Sequence, residues 1–135
     1  MSKPHKILVK TMTVNRTVND VFDFFDNPIS MEIGGAAKSV TKDSDSSWTF
    51  DHVVAGKSRI KHNAIREAGV LDHVFIGGGL EWKVYVRMTP NFGGTTVVWT
   101  FVRPDSLSDE QFEIQLRGFD LEIDLWKKAL EDGRN

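Results

Sequence analysis

Residues 108–132 read SDEQFEIQLRGFDLEIDLWKKALED, and this stretch decides the fold. Its apolar side chains recur every three or four residues, which is the spacing of one face of an α-helix. They are Phe112, Leu116, Phe119, Ile123, Trp126 and Leu130. Ser108 followed three residues later by Gln111 is the pattern of a capping box. We therefore predict one amphipathic helix from Asp109 to about Asp132, roughly 36 Å long, which can lie across most of a sheet.

Upstream of this helix, from about Ala37 to Arg103, apolar and polar residues alternate with a period of two. This alternation is typical of half-buried β-strands, and the turn-forming residues between the runs predict short hairpins in an antiparallel meander. The clearest runs are residues 48–54, 58–64, 71–75 and 82–88. The last run, Thr95 to Val102, is apolar at almost every position, so its pattern leaves open which face points inward.

The first 35 residues predict one strand and two short helices. Lys6 to Val14 favours a strand, and Thr17 is a predicted N-cap for the first helix. Pro28 is predicted to open the second helix, which ends at Gly34-Gly35. Together with the meander and the closing helix, this order indicates an α+β fold.

Length and composition narrow the class of protein. The 135 residues suit a single domain spanning 1–135. The formal charge of −2 provides no positive electrostatic field that would attract the phosphates of nucleic acid, so we expect no nucleic-acid partner. The absence of cysteine excludes disulfides and thiolate metal sites. The chain has no apolar run that approaches the roughly 20 residues needed to span a membrane. Residues 1–10 lack the apolar core of a secretory signal peptide. We expect a cytoplasmic protein, without stable membrane insertion, that is a monomer or a weak homodimer.

The order of strand, two short helices, six-strand meander and long helix resembles the START-like helix-grip superfamily, also called SRPBCC. Local sequences such as TVNDVF at 17–22 and LDH at 71–73 strengthen the likeness, which covers nearly all 135 residues. The stretch 90–104 followed by SDEQF at 108–112 is similar to uncharacterised bacterial polyketide cyclase/dehydrase-like members. The resemblance implies a curved seven-strand antiparallel sheet wrapped around the long C-terminal helix. It leaves function open, because carriers, cyclases, dehydratases and chaperone activators share this frame.

The resemblance also implies an elongated, mainly apolar cavity between sheet and helix, where a small molecule binds. The predicted lining consists of Trp48, Phe50, His52, Phe75, Trp82, Val84 and Val86 from the strands, with Leu116, Phe119, Ile123 and Trp126 from the helix. Aromatic residues at such spacing usually pack a core, so the hypothesis concerns the group and not each member. We expect a small hydrophobic or aromatic partner, lipid or polyketide-like, and no cofactor.

Three of the four histidines fall on the predicted inward face of consecutive strands. A four-residue loop at 66–69 would place His62 directly opposite His73. A three-residue loop at 55–57 would likewise place Phe50 opposite His62, with His52 on the diagonal.

The facing pair His62 and His73 supplies the candidate catalytic residues. Two close, partly desolvated imidazoles disfavour double protonation, so one neutral ring can act as a base near pH 7. A metal site is not expected, because the three rings lie in a row and the nearest carboxylates in the pattern, Asp51 and Asp72, are predicted to point outward.

Three functional classes follow from these residues. The first is a noncatalytic module that binds a hydrophobic or aromatic molecule, and the second is a cyclase or dehydratase that uses His62 and His73 as acid and base. The third is a protein-interaction or chaperone-activating module. The sequence indicates an apolar cavity lining more clearly than it indicates a set of catalytic residues. We therefore favour the noncatalytic binding module.

Two glycines of the closing helix have separate expected roles. Gly118 lies inside the helical stretch, where glycine costs about 1 kcal/mol relative to alanine. We expect it to allow either a close backbone approach or a bend beside the cavity. Gly133 is the predicted helix stop.

Overall fold

The alternating region forms the strands that its pattern predicts. In the computed structural model, which describes residues 3–27 and 29–132, the strands are β1 (Ile7–Val14), β2 (Ala37–Ser44), β3 (Ser47–His52), β4 (Gly56–Ile65), β5 (Val70–Gly77), β6 (Leu80–Asn91) and β7 (Gly94–Val102). The helices are α1 (Val18–Asp26), α2 (Ile29–Ile33) and α3 (Asp109–Glu131). The strands form one curved antiparallel sheet in the order β1-β7-β6-β5-β4-β3-β2. The predicted α+β helix-grip architecture is confirmed.

Local side chains begin the helices as the sequence predicts. The Thr17 hydroxyl accepts the backbone N–H of Asp20 at the start of α1. At the start of α3 the Ser108 hydroxyl accepts the Gln111 N–H at 3.1 Å, and the Gln111 side chain accepts the Ser108 N–H at 2.9 Å. The capping box is therefore confirmed. The roles predicted for Pro28 and Gly133 lie outside the described residues.

The hairpin between β4 and β5 has the predicted register. Residues 66–69 form its connection, a 3-10 turn over Arg66–Ala68 followed by Gly69 with φ of 66°. Four connecting residues bring His62 opposite His73, as predicted. Glycine suits the last position because a positive φ carries no steric penalty there.

The hairpin between β3 and β4 departs from its predicted register. Its turn consists of residues 53–55, so Phe50 pairs with Ser58 and His52 pairs with Gly56. The predicted placement of Phe50 opposite His62, with His52 on the diagonal, is wrong. The physical reason is the His52 ring, whose Nδ1 accepts the backbone N–H groups of Val54 and Ala55, both at 3.1 Å. These bonds hold the turn directly after His52.

The inward face of β7, which the sequence leaves open, is settled by its neighbours. Val97, Trp99 and Phe101 are buried, whereas the alternate residues are half-buried on the outer face. The strand lies between β1 and β6 near the middle of one half of the sheet. Its outer positions are half-buried, since the side chains of β1 and β6 flank them on both sides.

Helix α3 lies along β1, at one side of the sheet. Lys6 pairs with Glu113 at 2.6 Å and Lys10 with Asp120 at 2.9 Å, so the strand and the helix run side by side. The large core cluster fills the space under this helix, and a second cluster of Ala37, Trp48, Phe50 and Ile60 lies apart from it. In the described part of the chain, no helix is long and apolar enough to cross a membrane.

Candidate ligand-binding cavity

A cavity of about 570 Å³ separates the two core clusters. The concave face of the sheet forms one wall, α3 forms the second, and the segment after α2 closes one end. Its apolar lining includes Phe25, Ile60, Leu71, Phe75, Leu80, Trp82, Val84, Val86, Trp99, Phe101, Leu116, Phe119 and Trp126. The volume lies within the range of about 300–1,000 Å³ that is usual for small-molecule pockets.

Eight of the eleven residues predicted as lining border this cavity. They are His52, Phe75, Trp82, Val84, Val86, Leu116, Phe119 and Trp126. The other three lie behind the wall: Trp48 packs on the His62 ring, Phe50 packs on Phe75, and Ile123 is buried in the large cluster. Contact of any of these residues with a ligand stays a prediction.

Aromatic rings brace the α3 wall of the cavity. Trp99 and Trp126 stack with centroids 5.9 Å apart, and Phe25 meets both of them edge-on. The Trp126 indole N–H donates to the Ser30 carbonyl at 2.6 Å, which ties α2 to α3. The sequence prediction omitted Trp99 and Phe25. The first belongs to the strand whose facing was open, and the second lies on a helix that was not assigned to the wall.

The cavity opens where its lining residues are exposed. Val53 and Val54, in the turn after β3, are 70% and 84% exposed, and Leu121 on α3 is 68% exposed. Across the opening lies Gly35, and the backbone N–H of Val53 donates to the Ala36 carbonyl at 2.9 Å. The mouth therefore has an apolar rim that joins the β3–β4 turn, the segment after α2 and α3.

His73 lies half-buried in the cavity wall, and its ring is neutral near pH 7. Burial, together with the neighbouring His62, lowers the pKa of His73 from 6.5 to about 4. Its Nδ1 lies 3.3 Å from the Leu71 carbonyl oxygen, so the neutral ring carries its proton on Nδ1 and donates it there. Nε2 is then an unprotonated base at neutral pH.

His62 lies next to His73, with ring centroids 6.0 Å apart. Burial lowers the pKa of His62, and the nearby Asp26 carboxylate opposes this shift. His62 Nδ1 lies 3.5 Å from Asp26 Oδ1, yet among the described residues it makes no hydrogen bond. The strand pattern, which offered only Asp51 and Asp72 as neighbouring carboxylates, therefore missed Asp26. Asp26 comes from the end of α1, which the strand pattern does not relate to β4.

Glu122 is a polar lining residue that the sequence prediction missed. Burial raises the pKa of its carboxyl from 4.5 to about 7. The carboxyl makes no ion pair or hydrogen bond with the residues that the structure describes. Its only signal in the sequence is its position beside the apolar stripe of α3, four residues after Gly118.

Over residues 3–27 and 29–132, no group of three or more histidine, aspartate or glutamate side chains is arranged to hold a metal ion.

The chain is similar to several solved structures. DynU16, a protein of the dynemicin biosynthetic locus, aligns with a TM-score of 0.72 and 18% identity over 97% of this chain and 49% of its own, so this chain spans about half of it. Ara h 8.0201 aligns with a TM-score of 0.67 and 15% identity over 93% of this chain and 97% of its own. CalU16 from Micromonospora echinospora aligns with a TM-score of 0.68 and 11% identity over 93% of this chain and 74% of its own.

These likenesses show that the chain shares the helix-grip fold of these structures, as its sequence resemblance implied. No family model matches the chain, and no curated protein matches it either.

Proposed function

We propose that this protein binds a small hydrophobic or aromatic molecule, lipid or polyketide-like, in the cavity between the sheet and α3. The observation that carries the proposal is the apolar, aromatic cavity of about 570 Å³ with an open apolar mouth. Protein interiors are normally packed to crystal density, and empty space of this size forfeits many contacts. A ligand that fills the cavity restores them.

The bracing of the cavity wall supports this function. The Trp99–Trp126 stack and the hydrogen bond from Trp126 to Ser30 hold the α3 wall away from β4 and β5. A cavity held open in this way is preorganised, so ligand binding does not first have to rearrange the core. DynU16, similar in fold, comes from a biosynthetic locus, which is in keeping with a small-molecule ligand.

Amide NMR titration tests the proposal with a panel of fatty acids, flavonoids and polycyclic aromatic amines. We expect shifts concentrated at lining residues such as Phe75, Trp82 and Phe119. Gly118→Leu places a side chain in the open space of the cavity and is expected to weaken binding by about tenfold or more. Gly118→Ala is the matched control, since a single methyl group leaves most of the cavity open. No shift at the lining with any compound would refute the proposal.

A second candidate, a cyclase or dehydratase, is favoured by the facing histidines. His62 and His73 both line the cavity, and burial lowers both pKa values, so both rings are neutral near pH 7. The Asp26 carboxylate opposes the lowering at His62, which makes His62 the stronger base of the two and the better acceptor of a proton alpha to a ligand carbonyl. Asp26, beside His62, is placed to stabilise the imidazolium that results.

Mass spectrometry of a short poly-β-ketone incubated with the protein tests this second candidate. His62→Gln and His73→Gln are each expected to abolish cyclisation or dehydration while retaining ligand binding, which tryptophan fluorescence reports. His5→Gln, remote from the cavity, is the control. Wild-type protein that leaves the ketone unchanged, or variants that turn it over at the wild-type rate, would refute the catalytic role.

A further inference from the structure

The cavity face of α3 contains a notch at Gly118. Gln115, Gly118 and Glu122 follow one another at spacings of three and four residues, so they share one helix face, and all three line the cavity. Gln115 and Gly118 are exposed and Glu122 is half-buried, so this face lies at the mouth of the cavity. Apart from the backbone of its own helix turns, a Cβ atom built on Gly118 would meet no atom within 4 Å. Close backbone approach, one of the two roles expected for this glycine, is therefore wrong. The missing side chain instead leaves open space between Gln115 and Glu122.

Glu122 closes one end of this notch with an uncompensated charge. On the same helix, Glu113 is paired with Lys6, and Asp120 is paired with Lys10. Glu122 has no such partner among the described residues. The described lining contains no lysine or arginine, and Glu122 is its one acidic residue.

The histidines of the cavity do not supply the missing positive charge. Burial lowers the pKa of His52, His62 and His73, so all three rings are neutral near pH 7. A carboxylate held in a partly dehydrated site without a counter-charge is unfavourable, which is why the pKa of Glu122 is raised. A ligand cation would remove this penalty, whereas a ligand carboxylate would add repulsion.

We propose that the ligand of this cavity carries a protonated amine, and that the Glu122 carboxylate receives this amine in the notch beside Gly118. This inference rests on the proposed binding function and names its ligand class as amines on an aromatic or polycyclic frame. Gln115 offers its side-chain carbonyl as a second acceptor at the other end of the notch. Charge-assisted hydrogen bonds of this kind are about twice as strong as neutral ones.

Calorimetric titration at about pH 8, where both Glu122 and an alkylamine are ionised, tests the inference with three ligands on one frame. They are 2-(2-naphthyl)ethylamine, 2-(2-naphthyl)ethanol and 3-(2-naphthyl)propionate. Wild-type protein is expected to bind the amine about tenfold more tightly than the alcohol, and the carboxylate most weakly. Glu122→Gln is expected to remove about tenfold from amine affinity and to change alcohol affinity less than about twofold. Asp124→Asn, the same charge change at an exposed position of α3, should change neither.

The outcomes separate this inference from the binding function on which it rests. Equal affinity of the wild type for amine and alcohol, or an equal effect of Glu122→Gln on both, would overturn the amine inference and leave cavity binding intact. Failure of all three compounds to bind would count against both proposals.

A readout on the wild-type protein removes any dependence on how the variant folds. The carbon-13 shift of the Glu122 carboxyl, followed against pH, should show a lower pKa when the amine is bound and an unchanged pKa with the alcohol. An unchanged pKa with bound amine would overturn the inference.

Discussion

Two halves of one sheet share the same alternating pattern and differ in what covers them. In the filled half, β1, β7 and β6 pack under α3, and Phe112 and Val97 are 0% exposed, while Trp82, Val84, Val86, Trp99 and Phe101 of β6 and β7 also form the near wall of the cavity. In the hollow half, β3, β4 and β5 bend around the cavity, and His73 and Phe75 border its open space. The alternation sets which face of a strand points inward. It does not decide whether side chains from another element pack against that face or leave a cavity there.

The position of the helices explains the difference between the halves. The ion pairs of Lys6 with Glu113 and Lys10 with Asp120 hold α3 along β1, at one side of the sheet. Helix α1 adds its apolar face over β6 and β7, whereas the short α2 meets β2. The volume between α3 and the strands β4 and β5 is therefore left to the cavity.

Truncation of one fully buried phenylalanine of the filled half and of one phenylalanine on the cavity wall should give the largest effect. Phe112→Ala is expected to destabilise by about 4 kcal/mol, because the ring is fully buried, stacks on Trp82, and leaves a new void. Phe119→Ala removes a ring that already borders open space, and we expect about 2 kcal/mol with altered ligand affinity. Urea unfolding measures both. Equal losses would contradict the distinction between the filled and hollow halves.

Acid should weaken the hollow half through His73. Its pKa falls from 6.5 to about 4 on folding, so the unfolded chain binds the proton more tightly. The stability that the neutral His73 ring contributes is fully present above about pH 6.5. The free energy of unfolding falls by roughly 3 kcal/mol as the pH falls towards 4. Urea unfolding across this range should give a flatter pH dependence for His73→Gln than for the wild type. His5→Gln replaces a half-buried histidine outside the cavity that pairs with the exposed Asp105, and it should keep the wild-type slope. Parallel curves for all three proteins would show that His73 does not titrate in this way.

Glu122 should respond to pH in the opposite direction. Its pKa of about 7 in the folded protein lies above the ordinary value of 4.5. The stability that the protonated Glu122 carboxyl contributes is therefore fully present below about pH 4.5 and is lost as the pH rises through 7. Glu122→Gln is expected to stabilise the ligand-free protein by about 2 kcal/mol near pH 8 and to change little near pH 4. Thermal unfolding at the two pH values measures the difference, with Asp124→Asn as the charge control. A variant less stable than the wild type near pH 8 would mean that the carboxylate has a compensating partner.

Alanine at two glycines should give the smallest effects, with opposite signs. Gly118→Ala adds a methyl group to open space inside a helix and is expected to stabilise by about 1 kcal/mol. Gly34→Ala places its Cβ 2.9 Å from the Trp126 indole nitrogen, which is bonded to Ser30, and should destabilise by about 1–2 kcal/mol. Chemical unfolding distinguishes the two. Loss of stability at Gly118 would mean that the notch is not open.

Sequence reasoning succeeded where one hairpin or one helix turn determined the result. The four residues 66–69 set the pairing of His62 with His73, and Ser108 with Gln111 began α3. It failed at the β3–β4 hairpin, because Ala55-Gly56 resembles a turn while the His52 ring binds the backbone two and three residues later. The observed register therefore differs from the predicted one by four residues.

The sequence by itself determined the elements, the inward face of most strands and the apolar stripe of α3, since these depend on periodicity and on neighbours a few residues apart. The tertiary structure decided that the space between the halves stays open, that Asp26 approaches His62, and that Glu122 lies in the cavity without a partner. These features join segments up to about a hundred residues apart. They depend on where α3 lies relative to the sheet, which a local pattern of apolar and polar residues does not encode.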